Sequence, residues 1–185
     1  MRVISGTARG RRLKELPGMD TRPTTDKVKG ALFNIIQFDI EGRRVLDLFG
    51  GTGQLGIEAL SRGAAECTFV ELNRQAAAVI RENLKTVGFA EQATVQQGDA
   101  IAFLSGCRRN FDLILLDPPY QSDLLDRCLE IITKFDILSE HGIMICESAA
   151  EKQMPEPELP YEKGREYRYG TIKLTAYHRQ GDAEK

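Results

Sequence analysis

Four consecutive residues, Asp117-Pro118-Pro119-Tyr120, combine hydrogen-bond acceptors with an aromatic ring, and they follow an apolar run of sequence. The two prolines fix φ and remove two backbone donors, so the peptide carbonyls of this segment point in set directions. The Asp117 carboxylate and the Pro118 carbonyl can each accept an N–H, and the ring of Tyr120 offers a flat face for stacking. Such a site suits a planar ring that carries an exocyclic amino group.

A glycine-rich segment, Gly51-Thr52-Gly53-Gln54-Leu55-Gly56, has the spacing G-x-G-x-x-G and lies between a predicted strand and a predicted helix. Glycines at this spacing let the backbone approach a nucleotide-like ligand closely. Glu71 lies at the end of the next predicted strand, where it can accept hydrogen bonds from ribose hydroxyls. This motif alone fits a nicotinamide dinucleotide and S-adenosylmethionine (SAM) equally well.

Three neighbouring features favour SAM over a dinucleotide. Asp47 precedes the glycines, where its carboxylate would attract an ammonium or sulfonium group and repel a pyrophosphate. Asp99 and Ala100 follow a third predicted strand, at the place where an adenine amino group would lie. The segment 117–120 follows a fourth strand. All of these turns therefore open on the carboxyl edge of one sheet, which is where open α/β folds bind their ligands.

Hydrophobic periodicity predicts an α/β fold that positions these residues. Apolar segments alternate with amphipathic helical segments, and strands are predicted at 45–49, 67–72, 94–96, 111–116 and 143–146. Asn73 and Ser122 are predicted to cap two of the intervening helices. Two further strands flank Tyr169-Gly170 and form an antiparallel pair, because a short turn cannot connect parallel strands. The alternation predicts a mostly parallel sheet with helices on both faces.

The charge of the chain is unevenly distributed. The net charge is −2, but residues 1–30 carry eight basic and three acidic side chains, which makes them +5 and the remainder −7. We therefore predict a basic N-terminal arm, residues 1–23, that neutralises phosphates where it contacts a nucleic acid. The alternative is a solvated surface segment with no partner.

Composition narrows the class of protein further. The length of 185 residues fits one domain. No apolar run approaches the roughly 20 residues that span a bilayer, and the N-terminus has no signal pattern, so we expect a cytoplasmic location and no membrane partner. The four cysteines are far apart and include no C-x-x-C pair, which predicts buried free thiols and no metal site.

Several motifs together resemble those of one enzyme family. They are Arg2-Val3-Ile4-Ser5-Gly6, Gly10-Arg11-Arg12-Leu13, Arg22-Pro23-Thr24-Thr25-Asp26-Lys27-Val28, the run from Asp47 to Ala64, Glu71 and Asp117-Pro118-Pro119-Tyr120. With these motifs, nearly the whole chain resembles the RsmD family of 16S ribosomal RNA guanine-N2 methyltransferases. The resemblance implies the class I SAM-dependent methyltransferase fold over residues 1–185. This fold has a mostly parallel seven-stranded sheet with a C-terminal antiparallel strand and helices on both faces.

The resemblance also implies an activity and a set of site residues. The expected reaction moves a methyl group from SAM to the exocyclic N2 of a guanine in 16S rRNA of the small subunit or its assembly intermediate, with no metal and no obligate protein partner. The expected catalytic residues are Asp117, Pro118 and Tyr120. The expected cofactor-binding residues are Asp47, Phe49, Gly51, Gly53, Glu71, Asp99 and Ala100. The residues expected to contact RNA are Arg9, Arg11, Arg12, Arg22 and Thr24.

Residue chemistry leaves other functions open. A DNA adenine-N6 methyltransferase would use the same segment 117–120, because both amino groups satisfy the same acceptors. An NAD-dependent oxidoreductase would share the glycine turn but would leave that segment unexplained, and a non-catalytic RNA-binding module explains neither motif. Glu147, at the end of the fifth strand, could line the site or be a solvated acid.

Overall fold

A computed structural model of the chain describes residues 1–16, 26–120 and 122–181. Its α-helices are α1 (Asp26–Ile35), α2 (Gln54–Ser61), α3 (Arg74–Val87), α4 (Ala100–Gly106) and α5 (Leu124–Lys134). Its strands are β1 (Arg44–Asp47), β2 (Glu66–Glu71), β3 (Ala93–Gln97), β4 (Phe111–Leu116), β5 (Leu138–Ala149), β6 (Tyr161–Tyr169) and β7 (Ile172–Arg179). The predicted α/β class is confirmed.

The strands form one seven-stranded sheet in the order β3-β2-β1-β4-β5-β7-β6. β1 to β5 are parallel to one another, whereas β7 runs antiparallel to both of its neighbours, β5 and β6. The predicted mostly parallel sheet with a C-terminal antiparallel strand is thus confirmed. The direction in which the chain moves across the sheet reverses between β1 and β4, and this switch point is where such sheets bind ligands.

Alternation along the strands divides the core between the two faces of the sheet. One apolar cluster joins α1, α2 and α3 to residues such as Val45, Phe69 and Leu115. The other joins α4 and α5 to residues such as Leu46 and Ile114. Both faces are therefore covered, which explains why the central strands are apolar on both sides.

The N-terminal segment is a short hairpin that packs on α2. Arg2 pairs with Arg12 across an antiparallel bridge, and Val3, Ala8 and Leu13 are buried in the first cluster. We call residues 1–13 the N-terminal hairpin. Its backbone is docked on the body of the protein, so this part of the predicted arm is held in place rather than extended into solvent.

A buried carboxylate, that of Glu58 in α2, anchors the hairpin. It accepts the backbone N–H groups of Ile4 at 2.8 Å and Ser5 at 2.9 Å, and the Nε of Arg62 at 2.9 Å. The Lys29 ammonium, also buried, lies 3.8 Å from it. Burial lowers the pKa of Lys29, and the Glu58 carboxylate opposes that shift. The hairpin and two helices thus share one charged cluster inside the protein.

Two local predictions need correction. Ser122 does not cap α5: that position is Asp123, and the Ser122 hydroxyl instead donates to the Pro119 carbonyl at 2.7 Å. The fifth strand begins at Leu138 rather than Ile143, because Leu138 already pairs with Phe111 and the intervening residues form an irregularity in the strand. The predicted cap at Asn73 is confirmed, since its side chain accepts from two N–H groups of α3.

Cys67, Cys128 and Cys146 are buried free thiols, as predicted, whereas the free thiol of Cys107 is only half-buried. Burial raises the pKa of Cys128 to about 12. Within the described ranges, no three His, Cys, Asp or Glu side chains are grouped so that they could hold a metal ion. In the same ranges, no helix has the length and apolar character to cross a membrane.

Candidate active site

Four acidic residues line the carboxyl edge of neighbouring strands. Asp47 ends β1, Glu71 ends β2, Asp117 follows β4, and Glu147 lies near the end of β5. Asp47 pairs with Phe69 of β2 and with Leu115 of β4, which fixes the register of β1 relative to both neighbouring strands. Side chains alternate along each strand, so Asp47, Glu71 and Glu147 belong to the face that carries α1, α2 and α3, and Asp117 directly follows the end of β4. The sequence-predicted acids are therefore brought together at one edge.

The glycine segment forms the turn between β1 and α2. Gly53 has a φ of 88° and donates its N–H to the Gly50 carbonyl at 2.7 Å. A Cβ on Gly56 would lie 2.2 Å from the Phe69 ring, so only glycine lets α2 approach β2 this closely. A Cβ on Gly51 would meet no atom within 4 Å, so this side of the turn faces open space. The turn therefore presents bare backbone at the sheet edge.

Asp47 is almost completely buried beneath the turn, with 1% of its surface exposed. Its Oδ2 accepts the Gly56 N–H at 2.9 Å. The pKa of Asp47 is raised to about 7, chiefly by burial; the Gly56 N–H opposes this shift, and the Glu71 charge adds to it. Near neutral pH this carboxyl group is therefore close to its titration midpoint, and a nearby cation would favour its ionised form.

Glu71 holds the turn from the neighbouring strand. Its Oε2 accepts the Gly51 N–H and its Oε1 accepts the Asn73 N–H, both at 2.7 Å. Each carboxylate oxygen has two lone pairs, so the group retains capacity for further donors. The next residue, Leu72, is 69% exposed at the same edge, and sequence reasoning did not single it out.

The remaining predicted cofactor residues lie on the opposite side of the same edge. Asp99 caps α4, with its Oδ1 accepting the Ala102 N–H at 2.8 Å, and Ala100 is buried. Phe49 is half-buried and packs against the second apolar cluster. Asp99 thus has a structural role in addition to the predicted one.

The segment 117–120 leaves β4 beside the glycine turn. Pro118 is buried, Pro119 is exposed, and Asp117 and Tyr120 are half-buried. The Tyr120 hydroxyl donates to Oε1 of Glu147, which is only 5% exposed. Glu147 is therefore not the solvated acid that the sequence left possible. Its position one step beyond the apolar run of β5, in line with Asp117, is the signal that could have identified it.

The residues expected to contact RNA fall into two groups. Arg9, Arg11 and Arg12 are exposed on the N-terminal hairpin, and Arg11 donates to the Thr86 carbonyl at 2.9 Å. The other predicted residues, Arg22 and Thr24, lie outside the described residues. The exposed arginines thus form a basic surface on a docked hairpin.

Asn83 connects the chain after the hairpin to the glycine turn. Its Oδ1 accepts the Lys14 N–H at 2.7 Å, and its Nδ2 donates to the Lys14 carbonyl at 3.1 Å and to the Thr52 carbonyl at 2.9 Å. Asn83 is buried, with 1% exposed. One buried side chain therefore fixes the segment that follows the N-terminal hairpin relative to the glycine turn.

Comparisons with known proteins agree on the kind of enzyme. The family model described as "Conserved hypothetical protein 95" matches residues 1–178. The chain is 41% identical over 184 residues to YlbH, a candidate rRNA methyltransferase of Bacillus subtilis (strain 168). This alignment covers 98% of this chain and 100% of the relative. It is 32% identical over 184 residues to ribosomal RNA small subunit methyltransferase D of Escherichia coli (strain K12), which covers 100% of this chain and 92% of the relative.

A solved structure shows the same architecture over the same length. The candidate methyltransferase yhhF of Escherichia coli superposes with a TM-score of 0.89 at 30% identity, covering 98% of this chain and 99% of that one. The likeness includes the N-terminal hairpin and the C-terminal strands, because nearly every residue is aligned. Sequence and structure comparisons therefore point to the same group of methyltransferases.

Proposed function

The chain belongs to the RsmD family of ribosomal RNA methyltransferases, and from this premise we propose that it transfers a methyl group from SAM to the exocyclic N2 of a guanine in 16S rRNA. One observation carries this proposal: the glycine turn and the segment 117–120 leave the adjacent strands β1 and β4 at the switch point of the sheet. A cofactor and a target base bound at these two loops would be in contact.

The residues of the glycine turn fit SAM. Glu71 accepts the ribose hydroxyls through its remaining lone pairs while it holds Gly51. Asp47 favours a positively charged ligand beside the turn, since such a charge relieves the burial of its carboxylate. When bound, SAM supplies a methyl group activated by a sulfonium centre.

The side of the sheet edge that carries Asp99, Ala100 and Phe49 suits the adenine ring. In this proposal Asp99 and Ala100 bind the adenine amino group, and Phe49, which packs against the same apolar cluster as Ala100, lies beside them. The exposed side chain of Leu72 provides an apolar surface that an adenine ring would cover. The cofactor residues proposed here are thus those predicted from the sequence, together with Leu72.

Asp117, Pro118 and Tyr120 hold the target amine. A guanine amino group is a poor nucleophile, because its lone pair is delocalised into the ring. When the Asp117 carboxylate and the Pro118 carbonyl each accept one N–H, the nitrogen is held with its lone pair towards the methyl group. Positive charge develops on that nitrogen during transfer, so the fixed acceptors stabilise the transition state. The proton leaves late, because the methylated ammonium is acidic.

Tyr120 stacks on the target base. This contact contributes about 1–3 kcal/mol and stabilises the base outside the RNA helix. Arg9, Arg11 and Arg12 on the N-terminal hairpin bind phosphates of the substrate. A purine amino group is reached only in a loop or after the base is flipped out. We therefore propose that the substrate is the 16S rRNA of a small subunit or its assembly intermediate, and that the enzyme acts in the cytoplasm.

A labelling experiment tests the proposed function. The protein is incubated with methyl-labelled SAM and, separately, with small ribosomal subunits from cells lacking its gene, with naked 16S rRNA and with DNA. We expect label in subunit RNA, recovered after digestion as N2-methylguanosine. Label on adenine in DNA would instead assign the chain to the adenine-N6 methyltransferases, and label in none of the three would refute the proposal.

A further inference from the structure

Glu147 lies beside Asp117 at the active-site edge. β4 and β5 pair Leu116 with Cys146, the last pair of this ladder, and neighbouring strands are about 4.8 Å apart. Asp117 directly follows Leu116, and Glu147 directly follows Cys146 within β5. On its other side Glu147 pairs with Leu174 of β7, which is fully buried. Glu147 therefore lies beside the point at which Asp117 leaves β4, which is where the target base is expected.

We propose that Glu147 accepts the N1–H of the target guanine and thereby selects guanine over adenine, an inference that rests on the proposed function. The Watson–Crick edge of guanine presents two adjacent donors, the ring N1–H and the exocyclic N2 amino group. Asp117 and Glu147 present two acceptors side by side. Adenine has an unprotonated N1 at the corresponding ring position, and its lone pair would face a carboxylate. Flipped bases are commonly read through this edge.

The Tyr120 hydroxyl orients this acceptor. It donates to Oε1 of Glu147, which fixes the carboxylate and the plane of the tyrosine ring together. An ionised carboxylate has about four lone-pair sites, so it can accept an N1–H in addition to the Tyr120 hydroxyl. The residue that stacks on the base and the residue that reads its edge are therefore connected by one hydrogen bond.

A purely structural role explains the choice of residue less well. Glu147 is 5% exposed and follows the apolar residues Ile143, Ile145 and Cys146. Removing a carboxylate from water costs several kcal/mol, and a neutral partner would hold the Tyr120 hydroxyl at a smaller cost. A carboxylate retained in such surroundings at a ligand-binding edge is typical of a functional group.

The base analogue 2-aminopurine tests whether Glu147 reads the N1–H of the base or only positions Tyr120. It has the exocyclic 2-amino group of guanine, but its N1 is an acceptor without hydrogen. Small subunits are reconstituted with 16S rRNA that carries either base at the methylated position, introduced by ligation. Wild-type protein should methylate guanine at least tenfold faster than 2-aminopurine, as kcat/KM, because losing one base-edge contact costs about 1–3 kcal/mol.

Glu147→Gln should narrow that preference. Its amide still accepts the Tyr120 hydroxyl but can donate to the N1 of 2-aminopurine, so the guanine rate should fall about 10–100-fold and the ratio between the two bases should fall at least tenfold. The affinity for SAM should not change. Glu140→Gln provides the matched control, because Glu140 is an exposed acid at the other end of the same strand.

Tyr120→Phe tests whether Glu147 only positions the tyrosine. If it does, Tyr120→Phe will slow transfer, but Glu147→Gln, whose amide still accepts the hydroxyl, will methylate guanine at close to the wild-type rate. The ratio between the two bases will then stay at its wild-type value in Glu147→Gln, and this result would overturn the proposal. Equal rates on both bases with wild-type protein would also overturn it, even if Glu147→Gln fails to fold. If wild-type protein methylates no guanine at all, the proposed function fails instead.

Discussion

At the scale of single residues, Asp47 couples the binding of a cation to the release of a proton, because a positive charge favours the ionised carboxylate. Its pKa is raised from an ordinary value of 3.8 to about 7, chiefly by burial. Between these two pH values the folded chain binds more protons than the unfolded chain, so the free energy of unfolding should decrease as the pH rises from about 4 to about 7. Above that range the folded protein contains a buried negative charge that a sulfonium or ammonium group would stabilise.

The expected consequence is a pH-dependent affinity for SAM. Protonation removes the charge of Asp47, so the Kd measured by calorimetry should rise as the pH falls below about 7, by up to about tenfold for each pH unit. Asp47→Asn should bind SAM weakly with a flat pH profile. The same variant should be more stable than wild type without ligand at pH 8, by about 1–3 kcal/mol.

Asp112 supplies the control for this titration. The Arg44 guanidinium, which donates from its Nε at 3.0 Å, holds the pKa of Asp112 below its usual range. Asp112 lies at the amino edge of β4, far from the glycine turn, and stays ionised over the same pH range. Asp112→Asn should therefore keep the wild-type pH profile. A wild-type affinity for SAM that did not vary between pH 5.5 and 7.5 would contradict the role given to Asp47.

Residue roles differ in how far the sequence could predict them. Asp47 and Glu71 follow from the spacing of the glycine turn, because local geometry determines which ligand groups they can reach. The role of Glu147 does not follow from local spacing, since its burial depends on β7 and its partner is Tyr120, 27 positions away. The capping role of Asp99 is also local, and its spacing of three residues from Ala102 is a recognisable signal.

At the scale of secondary-structure elements, the N-terminal hairpin depends on one acid in α2. Glu58 accepts the N–H groups of Ile4 and Ser5 and compensates the buried ammonium of Lys29. Removing one partner of a buried ion pair leaves an uncompensated charge, which is much more costly than losing an exposed pair. Hairpin docking and the packing of α1 should therefore fail together.

Glu58→Gln should lower the free energy of unfolding by about 3–5 kcal/mol, measured by urea denaturation at pH 7. The matched control is Glu82→Gln, because Glu82 forms an exposed ion pair with Lys14 at 2.7 Å and should contribute less than about 1 kcal/mol. Equal, small losses in both variants would show that the Glu58 cluster does not hold the hairpin.

The docking of the hairpin was not predictable from its own sequence. Charge counting identified a basic segment, and its exposed arginines agree with that reading. The acceptor that anchors its backbone, however, lies more than fifty residues away, inside a helix whose pattern indicated only amphipathicity. Hydrophobic periodicity predicts which face of one helix or strand is buried. It does not predict which distant backbone N–H groups a buried acid will accept.

At the scale of the whole molecule, the relative directions of the strands could be predicted because they follow from connection rules, whereas the order of the strands in the sheet was not predicted. Alternating strands and helices require parallel pairing, and the short turn at Tyr169-Gly170 requires an antiparallel one. The irregular start of β5 was missed, since it arises from the pairing of Leu138 with Phe111. The fold places the glycine turn and the segment 117–120 on adjacent strands, and the proposed chemistry depends on that adjacency.

One single-turnover measurement tests this account most directly. Wild-type protein and Asp117→Ala are each saturated with methyl-labelled SAM and mixed with small subunits from cells lacking the gene, while calorimetry follows SAM binding in parallel. We expect Asp117→Ala to bind SAM with near wild-type affinity but to transfer the methyl group to guanine about 100–1,000-fold more slowly. Transfer at the wild-type rate by Asp117→Ala would contradict the proposed role of its carboxylate.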